Sequence, residues 1–228
     1  NVAVGSGSLD ANTTSSDNTS VGYAALSANT APNNTAVGSN ALGGNTTGIY
    51  NTAVGRVALY TNTTGSNLTA MGFDALRSNT TGDDNTAFGF QALRTNTTGY
   101  GNVGVGVSAL RANSTGTNNV AVGHKALNAN TTGASNIAIG REALLIAQTA
   151  SNNIAIGYDV MEDLTTGTRN VGVGNYALEN ITTSNDNTAV GYHSLVSATT
   201  GQYNTAVGAS ALDAITTNNH CTAVGYQS

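Results

Sequence analysis

The chain has 228 residues, of which 8% are charged, with a formal net charge of −5. A charge density so far below the usual ~25%, with acidic residues in excess, excludes the basic footprint that nucleic-acid binding needs. A single cysteine, Cys221, excludes an internal disulfide, and no apolar run approaches the ~20 residues of a membrane span.

Polarity comes instead from Asn, Thr, Ser and Gly, which give a neutral, hydrated surface. The pentapeptide Asn51-Thr52-Ala53-Val54-Gly55 recurs with small changes along the whole chain. Its closing glycine falls at Gly5, Gly22, Gly38, Gly55, Gly72, Gly89 and onward to Gly225. The interval is 17 residues except for one of 16, and that shorter unit holds Pro32, the only proline. A fixed short period is the signature of a solenoid and outranks local propensity.

Count Asn51 as position 1 and Asn67 as position 17. Position 1 is Asn, with Leu68 and Cys221 among the exceptions. Positions 2–4 are β-branched, tiny and then aliphatic, as in Thr52, Ala53 and Val54. They predict a short strand. Gly55 predicts a corner whose backbone angle is closed to other residues. Ala58 and Leu59 predict a second short strand or a single helical turn, and the strand is the expectation here. Residues such as Asn62-Thr63-Thr64-Gly65 predict a turn.

Stacking such units sets residue i over residue i+17, roughly 4.8 Å away. Position 1 then becomes an Asn ladder able to pass amide hydrogen bonds from coil to coil. A second Asn ladder, at position 12, runs from Asn12 to Asn130. It turns apolar near residue 140, continuing as Ala147, Leu164, Ile181, Ala198 and Ile215. A site that accepts Asn or Ile points inward. The expected organisation is one elongated all-β domain over residues 1–228: a parallel β-solenoid of about fourteen coils, with a change of ladder character near 140. It is expected to be the ordered part of a longer chain.

The motif strand is apolar on both faces, with Val54 on one side and Ala53 on the other. One coil has only the Leu59 stretch to cover it. The uncovered face predicts a homo-oligomer whose axis runs parallel to the solenoid.

Repeated Asn-Thr-Ala-Val-Gly and Asn-Ile-Ala-Ile-Gly resemble the head repeats of YadA-like trimeric autotransporter adhesins and of related phage tail fibres. The resemblance covers the whole chain. It implies a left-handed β-roll, three chains side by side with the motif strands inside, at a cell surface or on a virion fibre. Seventeen residues is longer than that family's usual coil, and the extra length falls in the Asn-Thr-Thr-Gly turn. No ligand-reading motif carries over.

The function expected is a structural or adhesive fibre segment that presents variable residues to a surface glycan or protein receptor. The alternatives are an extracellular filament stacked end to end and an ice-binding solenoid. Thr at position 2 favours the last, but Val and Ile interrupt it from Val103 to Val171. No catalytic, cofactor or metal-ligand constellation emerges: His124, His193 and His220 fall at different unit positions.

Three groups are candidate ligand contacts. Arg77, Arg94 and Arg111 share position 10 in consecutive coils, where a stripe could clamp an anion. Its solvated alternative has Asp74, Asp83 and Asp84 nearby. Glu142 and Asp159 share position 7, Glu162 and Glu179 share position 10, and Asp163 adjoins them. Such carboxylates suit a hard cation or, at the right spacing, glycoside chemistry. Position 6 carries Tyr23, Phe73, Phe90, Tyr158, Tyr192 and Tyr226, an outward set fitted for sugar or protein contact. Sequons such as Asn62-Thr63-Thr64 are by-products of the turn.

Overall fold

The computed structural model describes residues 1–228. The chain forms two compact units, Asn1–Thr115 and Gly116–Ser228. The first contains β1 (Val2–Val4), β2 (Thr19–Val21), β3 (Thr35–Val37), β4 (Thr52–Val54), β5 (Thr69–Met71), β6 (Thr86–Phe88) and β7 (Val103–Val105). The second contains β8 (Val120–Val122), β9 (Ile137–Ile139), β10 (Ile154–Ile156), β11 (Val171–Val173), β12 (Thr188–Val190), β13 (Thr205–Val207) and β14 (Thr222–Val224). There is no helix. Each unit is a parallel β-solenoid in which every strand pairs with the next, Thr52 with Thr69 and Thr188 with Thr205. The 16-residue unit keeps the same register, Thr19 pairing with Thr35.

Position 3 faces inward because only a tiny side chain fits there: Ala36, Ala53, Ala121 and Ala138 are fully buried. Opposite it, positions 8 and 9 supply Ala58 and Leu59, also fully buried. The core is therefore a column of Ala, Ala and Leu repeated coil by coil, at roughly 25 cal/mol per Å² of apolar surface removed from water. Positions 2 and 4 point outward. Val37, Ile139, Ile156, Val190 and Val207 remain more than a third exposed.

The expected second strand at positions 8 and 9 does not form. Val57 and Leu59 lie in the left-handed region, at φ 53° and 52°, and the same pair of positions does so in nearly every coil. A strand needs extended angles, and two left-handed residues in three bend the chain through a turn instead. The backbone still bonds from coil to coil. Val57 N donates to Ser39 O in the preceding coil, and Leu59 N donates to Ala75 O in the following one. A left-handed leucine is strained; complete burial of its side chain and a satisfied N–H hold it there.

The corner glycine has two independent causes. Gly55 sits at φ 134°, and a Cβ on it would meet the carbonyl oxygen of Gly72 at 2.5 Å. Both Asn ladders are present. Asn62 Nδ2 donates to Asn45 Oδ1 at 2.8 Å and to Gly65 O at 2.9 Å. At position 1, Asn51 Oδ1 accepts from the backbone N–H of Leu68, and Asn51 Nδ2 donates to Gly65 O. These amides bind each turn to its neighbours inside a dry core, where an unmet donor would cost about 1–3 kcal/mol. Ala147, Leu164, Ile181 and Ala198 are as fully buried as the asparagines they replace. Position 12 thus points inward in both units.

Candidate functional site

No pocket opens on the surface, so any recognition uses the outward positions 4, 6, 7 and 10. Position 6 follows the corner glycine and projects from the coil. Tyr23 is 64% exposed, while Phe73 and Phe90 stack at 5.6 Å with the Arg56 guanidinium over Phe73. In the second unit Arg141 lies over Tyr158. Tyr158 meets Tyr176 edge-on at 5.3 Å, Tyr176 meets Tyr192 at 6.0 Å, and Tyr192 stacks on His193 at 4.1 Å. Tyr176 and His193 belong to position 7 and were not among the sequence candidates. Position-by-position comparison hides them, because the run passes between neighbouring positions of successive coils.

The arginine stripe does not stand as three equal cations. Asp74, at position 7 and almost wholly buried, accepts a hydrogen bond from Arg94 Nε at 3.2 Å and lies 3.7 Å from Arg77 Nε. One carboxylate therefore ties down two of the three guanidiniums. Arg111 is exposed. Asp83 and Asp84 are engaged elsewhere, accepting from the Ser66 N–H and the Asn67 amide. An anion clamp built on three free guanidiniums is not what the geometry provides.

The acidic group divides in two. Glu142 is drawn to cations: Arg141 at 3.2 Å, Lys125 at 3.7 Å and His124 at 3.9 Å. Asp159 is 8% exposed, and its Oδ1 is buried without a hydrogen-bond partner. Burial pushes the Asp159 carboxyl above the ordinary carboxylate range. Burial, and then the Asp159 charge, push Glu162 and Glu179 up as well. Asp163 is exposed beside them. No three of these groups converge closely enough to hold a metal ion.

A further pair was invisible at the level of sequence. Arg169 binds Asp186 through two parallel hydrogen bonds, at 2.7 and 2.8 Å, which hold that carboxyl below its ordinary range. The position-12 sequons are closed to modification, because Asn45, Asn62, Asn79 and Asn96 are fully buried. Family models, curated proteins and solved structures returned no match to this chain.

Proposed function

We propose that this chain is a segment of a structural and adhesive fibre, a bacterial adhesin head or a phage tail fibre outside the cell. Three copies associate side by side as left-handed β-rolls, and no catalysis is involved. The observation that carries this reading is the outward stripe at position 4. Ile139, Ile156, Val190 and Val207 stack in the second unit as an exposed aliphatic ladder on a chain with only 8% charged residues. Contiguous exposed apolar surface of this kind marks an interface. Pairing it with copies of itself leaves positions 6, 7 and 10 outward, where the aromatic and charged residues vary from coil to coil and face a glycan or protein receptor.

Light scattering on the purified chain tests the assembly. Three chains per particle are expected. The double variant Ile139→Arg/Ile156→Arg places charge in the stripe without touching the core, and it should yield single chains with unchanged far-UV circular dichroism. A folded wild-type monomer at micromolar concentration sinks the trimer. Particles of open-ended length in negative stain would favour the end-to-end filament.

A further inference from the structure

The repeat supplies its own comparison for the acidic patch. Asp74 and Asp159 occupy the same position, five coils apart. Around Asp74, position 10 of its own coil and of the next coil carry Arg77 and Arg94, and both guanidiniums approach the carboxylate. Around Asp159, the same two positions carry Glu162 and Glu179. The charge of the surround is inverted while the central carboxylate is kept, more than nine-tenths buried, with Oδ1 unmet. A buried carboxylate without a partner costs free energy, and two further carboxylates beside it add to that cost.

No internal cation relieves the site. Arg141, in the coil before Asp159, is bonded to Glu142 and lies over the Tyr158 ring, and its influence on Asp159 is the smallest of those acting there. His193 acts on Glu179, after burial and Asp159. Tyr158 and Tyr176, packed edge to face, lie beside this patch at positions 6 and 7. Carboxylates beside aromatic faces suit a planar organic cation, which takes bidentate hydrogen bonds at its edge and a ring at its face. A metal ion needs a convergence that these side chains do not provide.

We infer that the Asp159–Glu162–Glu179 patch, with Tyr158 and Tyr176 as its wall, binds an arginine side chain of a partner polypeptide. The incoming guanidinium meets the carboxylate that Arg77 and Arg94 serve in the first unit. The site lies off the position-4 stripe, so the inference stands independently of the trimer.

The test is fluorescence anisotropy of a labelled hexa-arginine peptide titrated with the full chain, alongside light scattering that reports assembly separately. The wild type should bind. Glu162→Arg/Glu179→Arg, which reinstates the arrangement around Asp74, should melt no lower than wild type and weaken binding by about tenfold or more, the worth of a charge-assisted hydrogen bond. Glu162→Gln/Glu179→Gln should weaken binding comparably, so the conclusion does not hang on one variant's folding. Asp83→Asn/Asp84→Asn removes the same number of acidic charges elsewhere and should leave affinity within about twofold, the difference expected of exposed charges. Absence of binding, or equal loss in the Asp83/Asp84 control, overturns the inference. Displacement of the peptide by calcium chloride at sub-millimolar concentration, abolished by the Gln pair, overturns it in favour of a divalent ion.

Discussion

At position 8, Val160 stands where most coils carry Ala, and Gly172 stands at position 3 of the following coil where most carry Ala. The two departures compensate one another. A Cβ on Gly172 would come within 2.6 Å of Val160 Cγ1 and 3.0 Å of Met161 Cε. Gly104 occupies the same unit position, but a Cβ there would meet nothing closer than 3.3 Å. Gly172→Ala should therefore overpack the core and cost about 1–3 kcal/mol. Gly104→Ala should change stability by less than about 1 kcal/mol, since the strain is small and the unfolded chain loses freedom. Adding Val160→Ala to Gly172→Ala recreates the common Ala–Ala contact. The double variant should be more stable than the sum of the single effects by about 1 kcal/mol. Urea denaturation of the single and double variants measures that coupling. Strict additivity would mean that Val160 does not set the size of residue 172.

Among the elements, the position-12 ladder makes the strongest demand on residue chemistry. Asn96 is fully buried. Its Nδ2 donates to Asn79 Oδ1 and Gly99 O, and its Oδ1 accepts from Asn113 Nδ2. Asn96→Asp points a carboxylate oxygen at two acceptors with no water to screen it, and should cost about 3 kcal/mol or more. Ile181→Asn is a different case. Its own coil can supply one acceptor, the Ser184 carbonyl, as Gly65 does for Asn62. Its ladder neighbours Leu164 and Ala198 supply no amide, so one polar group goes unmet, at about 1–3 kcal/mol. Chemical denaturation that ranked Ile181→Asn as the costlier change would mean the amide chain contributes little to the first unit. This ladder was legible in the sequence because stacking places i over i+17, and a site shared by Asn96 and Ile181 has to be interior. The strand, the corner glycine and the outward stripe were legible for the same reason. The turn at Leu59 was not. Leucine avoids left-handed angles, and only tertiary burial keeps it there. The ion pair from Asp74 to Arg94 spans 20 residues, so it crosses from one ladder to another and escapes any comparison made position by position. The same offset concealed the aromatic run through Tyr176.

For the molecule as a whole, these carboxylates fix how stability follows pH. Three side chains in the second unit, Asp159, Glu162 and Glu179, have folded-state pKa values raised above 3.8 or 4.5, in each case mainly by burial. A raised carboxyl binds its proton more tightly in the folded state, so its ionisation opposes folding. That penalty is complete above the folded pKa and vanishes below the unfolded one. Stability should then rise as pH falls from neutrality toward about 4.5, the reverse of ordinary acid denaturation. Asp186 acts with the opposite sign. Its hydrogen bonds from Arg169 lower its pKa below 3.8, so its contribution is intact above that value and is lost only at lower pH. The two effects occupy separate windows and place the stability maximum in the mildly acidic range. Asp159→Asn removes the buried unmet oxygen and should stabilise the protein by about 1 kcal/mol at pH 7, or roughly 2–4 °C in a chain of this size. Below pH 4, where the wild-type carboxyl is itself protonated, the same substitution should gain much less. Thermal unfolding of both proteins from pH 7 to pH 4 tests this. A wild-type melting temperature that falls steadily across that interval, or an Asp159→Asn gain that is the same at both ends, would show that these carboxylates are freely solvated and place no strain on the fold.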